Sequence, residues 1–158
     1  MISFTGSDVL QFAVRMEENG ELFYREAANS SKEGQVKNLF NHLAGEETEH
    51  KKTFGGLLSQ VKSNEPPEGY PGEYMAYLRN HIDGKVFFTK ENKSSLTEAG
   101  DIIKALDFAI ARELDSILYY QELKAFVSPS DHKTLDAVIE AERKHVAKLS
   151  EAKISLVK

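Results

Sequence analysis

The chain has 158 residues, 41% hydrophobic and 28% charged, which suits one globular domain with a sizeable core and leaves little room for a second. Its net charge of −5 is interspersed with no clustered basic face, which argues against nucleic acid as a partner; the absence of cysteine excludes disulfides, zinc knuckles and cysteine-ligated iron–sulfur clusters. The start, "MISFTGSDVL", has neither the basic nor the apolar region of a secretory leader, and no apolar run approaches the roughly 18 residues of a membrane span. These features predict a soluble, cytoplasmic protein, in which the Asn-x-Ser triplets at Asn29 and Asn92 are chance matches to a glycosylation acceptor.

In chain order, the apolar period is helical nearly throughout. A first helix is expected from about Ser7, a candidate N-cap, to Ser31, and a second from about Gln35 to Ser63. The Lys32-Glu33-Gly34 turn between them is short enough to make them antiparallel neighbours. Pro66, Pro67 and Pro71, with Gly69 and Gly72, then interrupt the pattern before a short helix over 73–83 and a loop. A capping box, Ser95-x-x-Glu98, opens a third helix that ends near Val127, and Ser128-Pro129 restarts a fourth that runs to about Ala152. Two helical hairpins, about 7–63 and 97–152, joined by a crossover at about 64–96, predict one all-α domain, a four-helix bundle of ferritin-like connectivity.

The hairpins are copies of each other. "FAVRMEENGELFYREA" from Phe12 aligns without a gap on "FAIARELDSILYYQEL" from Phe108, pairing Glu17 with Glu113 and Tyr24 with Tyr120. In the second and fourth helices "GEETEHKK" and "IEAERKHVAKL" superpose Glu47 on Glu142 and His50 on His145. At about 100° per residue, Glu17 shares a band with Ala13, Gly20 and Tyr24 while Glu18 points away. The same rule groups Leu43, Glu47, His50 and Phe54; Ala109, Glu113, Ser116 and Tyr120; and Val138, Glu142, His145 and Leu149. Four carboxylates and two imidazoles therefore aim at the bundle interior, where each unpaired charge costs several kcal/mol. Arg15, Arg112 and Lys144 are neighbours in sequence but off the inward bands, so metal is the remaining cation. Two divalent ions balance four glutamates, neutral imidazoles complete the shell, and Glu47 and Glu142 are expected to bridge. One Glu per hairpin plus one Glu-x-x-His is the arrangement of di-iron and di-manganese carboxylate bundles.

On these residues the sequence resembles the rubrerythrin group of the ferritin-like superfamily, over essentially the whole chain. Its Glu-x-x-(small)-x-x-x-Tyr pattern is matched by Glu17-Gly20-Tyr24 and Glu113-Ser116-Tyr120, and its Glu-x-x-His pairs by Glu47/His50 and Glu142/His145. The chain departs from the group twice. Rubrerythrins proper carry a further carboxylate one turn after the third-helix ligand, where this chain has Ser116, and a cysteine-rich rubredoxin module, which it lacks. The resemblance implies two iron ions in an Fe–O–Fe type centre, with manganese or zinc also suited to the ligands. It also implies an oxidoreductase of oxidative-stress defence that reduces hydrogen peroxide with NAD(P)H-linked electrons from a rubredoxin-like donor. The alternative is a ferroxidase of iron homeostasis, acting on Fe(II) and dioxygen, which Ser116 favours. An oxidase acting on an organic substrate and a purely metal-stabilised bundle are further options.

Around the six core positions, Tyr24 and Tyr120 are candidates to touch a ligand carboxylate or to be ordinary core tyrosines. Glu46 is an alternative to Glu47 that lacks a counterpart at Ala141, and Glu21, bordering the inward band, is a candidate mobile carboxylate. His42, His81 and His132 are expected at the surface or in connections, and Glu26, Glu49, Glu122 and Glu140 on solvated faces. The self-similar hairpins make a homodimer or hairpin exchange an expectation.

Overall fold

The computed structural model describes residues 6–60 and 102–157. Four α-helices carry them: α1 (Gly6–Ser30), α2 (Gly34–Gln60), α3 (Ile102–Leu123) and α4 (His132–Val157). The short helix over 73–83, the Ser95 capping box, His81 and the crossover lie outside the described residues.

Only residues 31–33 separate α1 from α2, and the Ser31 and Lys37 amides, donating to the Ala27 and Glu33 carbonyls, close the two helix ends. Ser7 lies inside α1 rather than before it, since the helix already includes Gly6. In the second hairpin the helices end less sharply than the sequence suggests. The α-helical pattern stops at Leu123 and tightens into a 3₁₀ turn, Lys124–Phe126. Pro129 does restart the chain after an extended Ser128, but as a 3₁₀ turn, Pro129–Asp131, one turn ahead of α4. Helix α4 then continues five residues beyond Ala152.

Each helix buries one stripe, and the stripes meet in two apolar layers. One contains Leu10 from early α1, Phe54 and Leu57 from late α2, Leu123 from the end of α3, and Leu135 and Ile139 from early α4. The other contains Phe23 and Ala28 from late α1, Phe40 and Leu43 from early α2, Leu106 from early α3, and Leu149 from late α4. Helices α1 and α4 therefore run one way and α2 and α3 the other. The end of α2 and the start of α3 lie at opposite ends of the bundle, which is the ferritin-like connectivity. Fully burying each of these Leu and Phe side chains contributes about 1.5–3 kcal/mol. Tyr119 ties the hairpins together by donating from its hydroxyl to the Val9 carbonyl at 2.8 Å. No helix among the described residues is long and apolar enough to cross a membrane.

Candidate metal centre

Between the two apolar layers lies a polar one. Glu17, Glu47, His50, Glu113, Glu142 and His145 are all buried, because each occupies the inward stripe of a helix whose flanking turns carry the leucines and aromatics just described. The i, i+3 spacing puts Glu and His one above the other on α2 and on α4. The structure brings together all six residues singled out from the sequence.

Their donor atoms form two overlapping groups, Glu17/Glu47/His50/Glu142 and Glu47/Glu113/Glu142/His145, each with its atoms within 4.8 Å of one another. Glu47 and Glu142 belong to both. His50 Nδ1 lies 2.9 Å from Glu142 Oε1 and 3.5 Å from Glu17 Oε2. His145 Nδ1 lies 3.0 Å from Glu142 Oε2, 3.3 Å from Glu47 Oε1 and 3.4 Å from Glu113 Oε1. The imidazoles are stacked, with centroids 5.6 Å apart.

These approaches are close but lack the alignment of hydrogen bonds. Among the described residues, Glu17 Oε2, Glu47 Oε1, both Glu142 oxygens and both Nδ1 atoms are buried without a hydrogen-bond partner. Buried polar atoms left so are rare and costly, and here they share one focus. Oxygen and imidazole nitrogen donors around a common point, four carboxylates to two rings, fit a pair of divalent cations.

The crowding of these groups shifts their acid–base equilibria. Desolvation, then the charges of Glu17, Glu142 and Glu113, raise the Glu47 carboxyl well above its usual range. Burial and the neighbouring Glu113 and Glu17 push Glu142 up to about 8. Burial alone would lower both histidines, but the carboxylates beside them win and raise His50 and His145 to about 10. Glu113 moves the other way: burial opposes its charge, yet His145, Glu142 and Tyr24 hold it below the ordinary value.

Both tyrosines reach the cluster across the hairpin boundary, Tyr24 of α1 donating to Glu113 of α3 and Tyr120 of α3 donating to Glu17 of α1. Burial and the surrounding carboxylates raise both phenols well above their usual range, keeping them as donors. Gly20 has a steric role. A Cβ built there would stand 2.9 Å from Glu47 Oε2, so only glycine leaves that carboxylate in place. With Ser116, Asn19 and Arg112, Gly20 lines a recess between α1 and α3 that reaches Glu47 and Glu113. Arg112, expected off the inward band, thus borders the site, its guanidinium 5.2 Å from the Phe108 ring centroid and 2.8 Å from Asp115.

The remaining acids and histidines separate cleanly. Glu21 is held away from the cluster by Lys51 at 2.8 Å and by Arg25 at 2.8 Å, which keep its carboxyl below the ordinary range against the effect of burial. Glu46 belongs to neither donor group and instead faces the outer side of the His145 ring. His42 is largely exposed, and His132 Nε2 meets the Lys124 carbonyl at 3.0 Å. Glu26, Glu49 and Glu140 are solvated, whereas Glu122 is half-buried. Sequence reasoning missed the contact between Glu46 and His145, whose one advance signal was the unmatched Ala141.

Comparison with known proteins agrees with this geometry. The sequence profile of the family described as Rubrerythrin matches residues 8–153. A crystal structure described as a ferritin-like diiron-carboxylate protein from Thermotoga maritima superposes with a TM-score of 0.73 and 31% identity, covering 97% of both chains. A search of curated proteins finds no match.

Proposed function

The chain belongs to the rubrerythrin family, and from that premise we propose that it is a non-haem di-iron carboxylate protein that reduces hydrogen peroxide. The observation that carries this reading is the pair of buried donor groups sharing Glu47 and Glu142. Glu17 and His50 would complete one metal position, and Glu113 and His145 the other. Iron held there would supply the two electrons that, with two protons, convert one peroxide to two waters.

The chain's own residues do the rest. Glu47 and Glu142 hold the two positions at a fixed separation, and Tyr24 and Tyr120 fix the orientations of Glu113 and Glu17. The apolar layers above and below exclude bulk water, which strengthens every charge interaction between them. The recess at Gly20 and Ser116 is an approach for a molecule the size of peroxide. A chain without cysteine offers no ligands for an iron–sulfur centre that would relay electrons, and a small rubredoxin-like protein is the external donor we propose.

Ser116 supports a second reading. A serine in place of a further carboxylate leaves the recess without an additional metal-binding group, which suits a ferroxidase that oxidises Fe(II) with dioxygen and passes it on. Anaerobic loading with Fe(II), followed by stopped-flow mixing with peroxide or with dioxygen, separates the two. Oxidation at least about tenfold faster with peroxide supports the peroxidase. Faster oxidation by dioxygen, with turnover of added Fe(II), overturns it in favour of the ferroxidase.

A further inference from the structure

The duplicated hairpins predict two equivalent imidazoles, but their surroundings differ. His145 is fully shielded, and its two ring nitrogens face different groups: Nδ1 faces Glu47, Glu113 and Glu142, while Nε2 lies 3.1 Å from Glu46 Oε2. The same Glu46 oxygen is 3.2 Å from Lys148 Nζ and 3.0 Å from His42 Nε2. Lys148 Nζ is in turn 2.9 Å from His42 Nε2, so Lys148 anchors the carboxylate at the surface with His42 beside it. On α4, the position equivalent to Glu46 is Ala141, which has no oxygen to offer. Among the described residues, both carboxylate contacts of His50 fall on Nδ1, and the residue is 8% exposed where His145 is fully shielded.

We infer that Glu46 is a positioning residue that fixes the His145 ring and makes the two metal positions unequal. A carboxylate can only accept, so when the ring is neutral, as a metal requires, the His145 proton resides on Nε2 and the Nδ1 lone pair points at the cluster. An anionic acceptor also makes the opposite nitrogen a better donor to a cation, and it removes the ring flips that a free imidazole retains. Among the described residues, none gives the His50 ring such support. The position completed by Glu113 and His145 therefore holds a divalent ion more tightly than the one completed by Glu17 and His50. This rests on the dinuclear reading above.

The test uses Co(II), whose binding is read from its visible absorption and from paramagnetically shifted proton resonances of the liganding rings, without any activity assay. The unsubstituted protein should bind two ions in distinguishable steps and show one slowly exchanging imidazole N–H, that of His145. Glu46→Ala should weaken the tighter step by about 10- to 100-fold, leave the weaker one unchanged and make that N–H exchange rapidly. Glu46→Gln, nearly isosteric and still able to accept through its amide oxygen, should restore the slow exchange and part of the affinity. It also keeps the test open if Glu46→Ala does not fold. Unchanged steps and exchange in both variants overturn the positioning role. A drop to one ion in both variants overturns it differently, by making Glu46 a direct ligand. Fewer than two ions in the unsubstituted protein would instead refute the dinuclear reading itself.

Discussion

Loading the metal-free protein anaerobically with two equivalents of Fe(II) at about pH 7 should expel at least about three protons per chain. The count follows from the cluster. His50 and His145, both raised to about 10, are imidazolium ions at that pH, and Glu142, raised to about 8, is mostly neutral; Glu47 is raised as well, which adds to the release. A metal takes only neutral imidazole and ionised carboxylate, so each protonated group gives up its proton as the ions enter. At about pH 9, Glu142 has already ionised and the yield should fall by about one. Calorimetric titration in two buffers of different ionisation enthalpy gives the number directly, and a weakly buffered titration with base at constant pH checks it. Release of one proton or none would refute the reasoning, because it would mean that the buried carboxylates and rings do not share protons in the metal-free state.

The same shifts set the pH dependence of stability. With folded-state values of about 8 for Glu142 and about 10 for the histidines, against 4.5 and 6.5 ordinarily, the folded metal-free chain binds more protons than the unfolded one. Its stability should therefore fall as pH rises from mildly acidic to alkaline, while the loaded form holds, and the gap in Tm should widen; a flat gap contradicts the burial of these groups. Glu47→Gln and Glu142→Gln should each disturb both metal positions, whereas His50→Ala should affect one, as stepwise Co(II) titration would show; single-step losses in all three would deny the sharing. Gly20→Ala should raise the Tm of the metal-free protein, by up to about 1 kcal/mol of helix propensity, yet lower metal affinity by crowding Glu47 Oε2. Unaltered affinity would show that Glu47 can move aside without cost.

Much of this architecture was legible because it rests on periodicity. Glu17, Glu47, Glu113 and Glu142 stand in otherwise apolar helical stripes, and the duplication supplies each with a partner. Helix ends were less legible, since the choice between α and 3₁₀ geometry at Lys124–Phe126 and Pro129–Asp131 depends on how the turn packs, not on period. Contacts between hairpins were hidden for a related reason. The spacing on α2 marks Glu46 as adjacent to a ligand, but only the placement of α4 beside it brings His145 Nε2 within reach. Arg112 is similar: off its own helix's inward band, it still borders the site because α1 and α3 together line one recess there.

The shared glutamates have a consequence for how such a molecule comes apart and how it could have arisen. The first donor group draws three side chains from the α1–α2 hairpin and one from the other, and the second group reverses that proportion. Neither hairpin can complete a metal position alone. An ion bound at either position would therefore act as a rivet between halves, and losing it should loosen the seam between hairpins before it loosens either one. A solitary hairpin bearing one Glu and one Glu-x-x-His would meet the same requirement by pairing with its own twin. Joining two such copies end to end would need no new ligand, and the difference at Glu46 against Ala141 is where we propose that the two positions part.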